Sequence, residues 1–213
     1  MLSHCMRSWP GSKRQAVEIL IEDNKVRAGE RHLPGDLAIW FIILLELTTF
    51  ALLFAAYAIM RSKDPELFNT SQLMLDPSKG LVNTLLLISG SWCVVHGIHA
   101  LRDGIRSTGL RWLIAAQGCG LAFLVLKIEE YSALFAAGID MDTNRFYTFY
   151  FTLTGFHFLH VLAAIIILAF LTFHNRCGAF NADRLHGLET GGAFWHMVDL
   201  LWIVLFPLVY LMR

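Results

Sequence analysis

The chain has 213 residues, of which 56% are hydrophobic and 16% are charged, and its mean hydropathy is +0.54. This balance excludes an ordinary water-soluble globular domain and is typical of a polytopic membrane protein. Lysine plus arginine equals aspartate plus glutamate at 17 each, so no excess of positive charge indicates nucleic acid as a partner.

The N-terminal residues 1–36 are polar and mixed in charge. They contain no apolar run long enough for the hydrophobic region of a cleavable signal peptide. We therefore expect this segment to be a cytoplasmic tail.

Residues 37–213 predict an all-α fold, a single bundle of five transmembrane helices. Five apolar segments reach the ~20 residues that a helix needs to cross a bilayer: 37–60, 81–101, 110–135, 146–173 and 192–212. The connection 61–80 contains two prolines and predicts an ordered external loop. The fourth segment carries two histidines, and we expect it to lie at the centre of the bundle.

The third segment is interrupted by Lys127, Glu129 and Glu130. It crosses completely only if these residues lie near the membrane boundary. Lys127 and Glu130 are three residues apart, so on a helix they can pair and reduce the cost of burial. With Tyr131, they form a predicted site on the outer side.

The distribution of basic residues predicts the orientation. With the N-terminus inside, 11 of the 17 lysines and arginines lie in the tail and inner loops, and six lie outside. Inner loops of membrane proteins are enriched in Lys and Arg. We therefore expect a multi-pass protein with the N-terminus inside and the C-terminus outside.

Three polar residues are predicted at the middle of the membrane. Glu46 lies roughly 14 Å from the inner end of the first segment, at about 1.5 Å per residue. By the same reasoning, His157 and His160 lie roughly 16–21 Å below the outer surface. We expect the three to form one midplane network. Its role is either proton handling or hydrogen bonding between helices.

A second polar network is predicted on the cytoplasmic side. His96 and His99 are three residues apart near the inner end of the second segment, and His196 and Asp199 are three apart in the fifth, after Glu189. Histidines beside carboxylates are what a structural hydrogen-bond network needs, and also what a proton relay needs.

Metal or haem ligation is the more specific alternative for these histidines, because imidazoles on neighbouring helices can bind a metal ion or a haem iron. Against it, the histidines fall at two depths, and their spacing lacks the i, i+4 geometry of an H-E-x-x-H site. The four cysteines are scattered without zinc spacing. From the residues alone we therefore favour hydrogen-bonding histidines over metal ligands.

Five stretches resemble the subunit III family of haem–copper oxidases, in the family's order. They are FIILLELTTFALLFAAYAIMRS, LVNTLLLISGSWCVVHGIHALRDG, LKIEEYSALFAAG, FYFTLTGFHFLHV and ETGGAFWHMVDLLWIVLFPLVY. The family's long form has seven spans, and this chain resembles a short form that lacks the first two. Its opening RHLPGDLAIW is similar to the NorE-like branch associated with nitric oxide reductase.

The resemblance implies an accessory subunit in a bacterial-type inner membrane. Haem and copper, or non-haem iron, would lie in the partner, catalytic subunit I. This chain would have no catalytic residue, no metal site and no cofactor of its own. It would contact membrane lipids and a bound phospholipid, and would sustain turnover or support proton uptake. Two other classes stay open: a haem- or quinone-binding membrane anchor, and a small transporter or assembly factor.

Overall fold

The structure is a computed structural model that describes residues 37–174 and 182–212. The N-terminal tail predicted for residues 1–36 lies outside the described residues. The described chain is almost entirely helical and contains no strand. Its helices are α1 (Leu37–Lys63), α2 (Pro65–Gln72), α3 (Pro77–Arg102), α4 (Arg106–Ala136), α5 (Arg145–His174) and α6 (Ala182–Phe206), and a π-helical turn, Pro207–Leu211, follows α6.

Five helices of the described chain are long and apolar enough to cross a membrane, which confirms the predicted fold class. They are α1, α3, α4, α5 and α6 with its π-helical turn. We call the end of the bundle at residues 102–106 the Arg102 end, and the opposite end, at residues 64–76, the Asp76 end. The predicted external loop 61–80 is largely helical, because α1 continues to Lys63 and α2 follows at once.

Local sequence signals fix where helices begin and end. The Asp76 side chain accepts a hydrogen bond from the Ser78 backbone N–H at 2.9 Å and so caps α3, with Pro77 in its first turn. After α3, Gly104 adopts a positive φ of 77°, and the next N–H bonds back to the Ala100 carbonyl at 2.8 Å. This closing turn favours glycine, because other residues are strained at positive φ.

Helix α6 lies at the centre of the bundle and α1 lies at its edge. In the most apolar part of each span, 61% of the α6 residues are buried but only 11% of the α1 residues. The equivalent share for α5 is 33%. The expectation that the two-histidine segment forms the centre was therefore wrong: α5 supplies one wall around α6.

Glycines allow α3 and α4 to approach closely. A Cβ atom added at Gly97 would lie 2.9 Å from Leu113 and 3.3 Å from the Gly109 carbonyl oxygen. Backbones in contact at this distance leave no room for a side chain, and small residues commonly mediate helix packing in membranes. A Cβ at Gly118, on the same helix α4, would meet nothing within 4 Å.

The end of α6 is held by a side chain from α2. Pro207 introduces the π-helical turn, and Gln72 Nε2 donates to the carbonyl oxygens of Val209 at 2.9 Å and Leu208 at 3.4 Å. Backbone carbonyls that leave the regular ladder need such partners when buried. Gln72 is 3% exposed and provides them.

Candidate functional site

Lys127 and Glu130 of α4 form an ion pair inside the bundle. Lys127 Nζ donates to Glu130 Oε2 at 2.9 Å, and also to the hydroxyl oxygens of Tyr150 at 3.1 Å and Tyr210 at 2.6 Å. Both tyrosine hydroxyls donate to Glu130 Oε1, at 2.8 and 2.6 Å. All three donors of the ammonium group are therefore satisfied, as burial of a charge requires. We call these four residues the Lys127 cage.

Aromatic rings surround the buried ammonium group. Lys127 Nζ lies 5.0–5.4 Å from the ring centres of Tyr131, Tyr150, Trp202 and Tyr210, a distance at which ring faces attract a cation. Tyr131 does not join the cage through its hydroxyl, which donates instead to Thr154 at 2.7 Å. The cage joins α4, α5 and the π-helical turn.

The burial of Lys127 was not predicted from the sequence. The residue is fully buried within the bundle, about 14 Å from the end of α4 at Ala136, and its expected position near the membrane boundary stays a prediction. The cage explains how α4 crosses despite this charge. Tyr150 belongs to the polar stripe Tyr147, Tyr150, Thr154 and His157 on α5, but no pattern in the sequence pointed to Tyr210.

A cavity of about 230 Å³ opens at the Asp76 end beside the cage. Its polar lining consists of Asp76, Lys79 and Glu130, and the rest is mostly apolar. Lys79 pairs with Glu129 at 3.2 Å, and both side chains are exposed. Glu130 is the member of the cage that borders this space.

Glu46 of α1 and His160 of α5 are in direct contact. His160 Nε2 lies 2.9 Å from Glu46 Oε2, and Phe50 packs edge-on against the imidazole with ring centres 5.4 Å apart. The two side chains are 29% and 14% exposed. We call this contact the Glu46–His160 pair.

The second nitrogen of His160 limits the protonation states of this pair. His160 Nδ1 lies 2.7 Å from the Phe156 carbonyl oxygen. A carbonyl oxygen can only accept, so Nδ1 carries a proton. The contact between His160 Nε2 and Glu46 Oε2 needs one further proton, which lies on either the carboxyl group or the imidazole. One proton therefore lies between Glu46 and His160.

His157 lies apart from this pair, although both were expected in one midplane network. Its side chain is fully buried, with ring centres 5.0 Å from Trp202 and 5.6 Å from Phe123. Neither of its nitrogens has a hydrogen-bond partner in the described structure. His157 faces α6 while His160 faces α1, so the predicted network is divided.

The network expected at the Arg102 end is divided as well. His96 packs against Trp92 and Trp112, with ring centres 4.1 and 5.6 Å away, and its Nδ1 bonds to the Trp92 carbonyl oxygen at 3.0 Å. It does not reach His196 or Asp199. His99 is exposed and borders a cleft that Glu189 and His196 also line.

This cleft lies between α3 and α6 and has a volume of about 210 Å³. One wall is an ion pair in which Arg102 Nε and Nη2 donate to the same Glu189 oxygen at 3.1 and 2.7 Å. His99 and His196 also line it. The sequence predicted Glu189 and both histidines here, and it missed Arg102.

Further inside, His196 meets a hydroxyl group. Its Nδ1 lies 2.5 Å from Ser91 Oγ on α3. Asp199, one turn further along α6, is 5% exposed, and its Oδ2 has no hydrogen-bond partner in the described structure. Ser91 was not assigned to any site from the sequence, because the Gly90-Ser91 pair indicates close helix packing and gives no sign of a partner for the hydroxyl group.

The described chain is therefore a five-span helical membrane protein with polar contacts buried between its helices. Within residues 37–174 and 182–212, no group of three His, Cys, Asp or Glu side chains is placed to hold a metal ion. Side chains in this arrangement can tie helices together and hold protons.

Comparison with known proteins identifies the family. Residues 36–213 match the family model described as cytochrome c oxidase subunit III. Cytochrome c oxidase subunit 3 of Thermostichus vulcanus is 35% identical over 185 residues, which cover 83% of this chain and 86% of the relative. The chain belongs to the cytochrome c oxidase subunit III family, as the resemblance of its five motifs predicted.

Two further relatives show the range of this similarity. Cytochrome bo(3) ubiquinol oxidase subunit 3 of Buchnera aphidicola is 30% identical over 180 residues, which cover 81% of this chain and 84% of the relative. A protein of Aeropyrum pernix named heme-copper oxidase subunit I+III is 27% identical over 180 residues, which cover 82% of this chain and 22% of the relative.

Proposed function

We propose that this chain is an accessory, non-catalytic membrane subunit of a respiratory haem–copper oxidase. The observation that carries the proposal is the family match, which extends over the whole described bundle. Its partner would be the catalytic subunit I, which would hold the haem and copper. The Aeropyrum pernix relative supports this partner, because its name places subunits I and III in one chain.

The catalytic partner determines the electron donor and the electron acceptor of the complex. The relatives include a cytochrome c oxidase subunit and a ubiquinol oxidase subunit, so the proposal covers both donors. Association with a nitric oxide reductase, whose partner would hold non-haem iron, stays a prediction from the opening motif. Purification of the native complex, followed by turnover assays with each donor and acceptor, distinguishes these cases.

We place the complex in a bacterial-type inner membrane with the N-terminus inside. An odd number of spans puts residues 37 and 212 on opposite sides, and the excess of basic residues favours an inner N-terminus. Labelling of single cysteines introduced at Thr70 and Ser107 in intact cells tests the orientation. An impermeant reagent should modify residue 70 and not residue 107.

A bound phospholipid also stays a prediction, tested by lipid mass spectrometry of the complex.

Within the complex, we propose that the Glu46–His160 pair ties α1 to the bundle and supports proton uptake. Its single shared proton can move between the two side chains without changing the net charge of the pair. Glu46→Ala removes both the tie and the proton. Glu46→Gln keeps a donor toward His160 Nε2 but removes the transferable proton.

The test compares these two variants in the purified complex. We expect Glu46→Ala to weaken retention of the subunit and shorten sustained turnover, since loss of such a hydrogen bond costs about 1–3 kcal/mol. Glu46→Gln should retain the subunit. Haem absorption should be unchanged in both, and Glu66→Ala, at an exposed position on α2, serves as control. Loss of a haem band in Glu46→Ala, or haem absorption by the isolated chain, would contradict the accessory role.

A small transporter or assembly factor is the remaining alternative. Stoichiometric co-purification with a large haem-containing chain supports the oxidase subunit. Isolation of a folded chain without any such partner from native membranes would favour the alternative.

A further inference from the structure

The cleft at the Arg102 end leads into a chain of polar side chains that ends at a buried carboxyl group. Arg102, with a side chain 48% exposed, and Glu189, 20% exposed, form the outer wall. His196 is the innermost titratable residue that lines the cleft. Solvent that enters the cleft therefore meets an imidazole directly.

From His196 the path continues inward through the ring nitrogen Nδ1. Nδ1 contacts Ser91 Oγ at 2.5 Å, so Nε2 is the nitrogen available to the cleft. An imidazole with one nitrogen toward solvent and the other on a hydroxyl group can accept a proton on one side and release one on the other. Ser91 and Trp195 are the polar side chains that face the Asp199 carboxyl group.

Asp199 lies at the inner end of this path. Asp199 Oδ2 and Trp195 Nε1 are buried atoms without a hydrogen-bond partner of normal geometry in the described structure. They border a narrow gap that leaves no room for a water molecule, and the other residues lining it are Leu87, Val161, Ala164 and Val198. Among the described residues that line the gap, Asp199 alone is titratable.

The position of Asp199 relative to His196 points to a role in proton exchange. Asp199 Oδ2 is one of several buried polar atoms without a partner in the described structure, both nitrogens of His157 among them, so the missing partner alone assigns no role. What sets Asp199 apart is that the Ser91 hydroxyl group, which contacts His196, also faces its carboxyl group. One hydroxyl group therefore separates this carboxyl group from a histidine that lines the cleft.

We propose that Asp199 is a proton-exchange site loaded from the cleft through His196 and Ser91. A proton from water in the cleft binds His196 Nε2, while the Nδ1 proton passes to Ser91 Oγ. The Ser91 hydroxyl proton passes in the same step to the Asp199 carboxylate. One proton moves from solvent to Asp199, and His196 ends with its proton on Nε2 instead of Nδ1.

Other charged and titratable groups line the outer part of the cleft. His99, Arg102 and Glu189 face the outer part of the cleft from α3 and α6, and α5 contributes only Val161 and Ala164 near Asp199. The Arg102–Glu189 pair is neutral overall and leaves the imidazole as the proton acceptor. This inference goes beyond the accessory role, because it concerns proton binding within this chain, whatever complex the chain joins.

Infrared spectroscopy of the full chain in lipid tests the proposal. The carboxylic C=O band of Asp199 is the band that Asp199→Asn removes, and it shifts to lower wavenumber when its proton is replaced by deuterium. We expect rapid exchange on transfer to D₂O in the unchanged chain. Ser91→Ala should slow exchange on the order of 100-fold, the effect of losing a proton-transfer group. Ser91→Thr keeps the hydroxyl group and should exchange rapidly, as should Ser132→Ala, which removes an exposed hydroxyl elsewhere.

Chemical rescue separates proton transfer from packing. His196→Ala should exchange slowly, and free imidazole should restore exchange, because the cleft of about 210 Å³ admits a ring of that size. Pyrrole has a similar ring without a basic nitrogen and should not restore it. The proposal is overturned by an Asp199 band that is absent at every pH, or by exchange in Ser91→Ala as fast as in the unchanged chain. Slow exchange in both Ser91→Ala and Ser91→Thr would also overturn it.

Discussion

Replacing Lys127 with methionine tests the energetic role of the Lys127 cage. Methionine keeps most of the side-chain length but removes the charge and all three donors. Glu130, only 5% exposed, would then be a buried carboxylate without a cation. Removal of one partner from a buried ion pair costs about 3–5 kcal/mol. We expect the free energy of unfolding to fall by that amount.

The double variant Lys127→Met/Glu130→Gln should recover much of this loss. A glutamine carbonyl can still accept from the Tyr150 and Tyr210 hydroxyls, so no buried charge and few unpaired groups remain. We expect a net cost of about 1–2 kcal/mol, because replacing both members of a buried pair costs far less than replacing one. The measurement is unfolding in mixed micelles of increasing denaturing detergent, followed by tryptophan fluorescence.

The exposed ion pair Lys79–Glu129 provides the matched control. Its N–O distance is 3.2 Å, similar to the 2.9 Å of the buried pair, but its side chains are 37% and 61% exposed. Lys79→Met should therefore cost less than about 1 kcal/mol. The reasoning is refuted if Lys127→Met costs no more than Lys79→Met, or if the double variant is as unstable as the single one.

Two further predictions concern packing and the end of the last span. Gly97→Ala should lower stability by about 1–3 kcal/mol through overpacking, measured by thermal unfolding in detergent, while Gly118→Ala should be neutral or slightly stabilising. Equal effects of the two would contradict the close helix contact. Gln72→Ala should cost about 1–3 kcal/mol, because the Val209 carbonyl loses its donor. Hydrogen exchange should increase in the π-helical turn, and the exposed control Thr70→Ala should leave it unchanged.

The sequence predicted those features that depend on local spacing. The lengths of the apolar segments predicted all five spans, and the three-residue spacing on a helix predicted the contact between Lys127 and Glu130. The rest of the cage was not predictable in this way, since Tyr150 and Tyr210 lie 23 and 83 residues from Lys127. Their convergence depends on how α5 is rotated and on the turn that follows Pro207.

The two histidines of α5 show why shared depth is not shared contact. Residues three apart on a helix are separated by about 60° around its axis. This angle is enough to direct His157 toward Trp202 of α6 and His160 toward Glu46 of α1. Helix spacing allows a depth to be predicted from the sequence, but it does not show which helix each histidine faces. His96 and His99 are separated in the same way: His96 packs against Trp112 of α4, and His99 borders the cleft that α6 lines.

The position of α1 gives the Glu46–His160 pair its structural importance. In a membrane, lipid tails are as apolar as the helix surface, so hydrophobic burial does not drive helices together, and packing and hydrogen bonds must do so. In the most apolar part of each span, 61% of the α6 residues are buried but only 11% of the α1 residues. We therefore expect the Glu46–His160 pair to contribute a large part of what holds α1 in place. The same scarcity of packing leaves the Glu46 side chain 29% exposed.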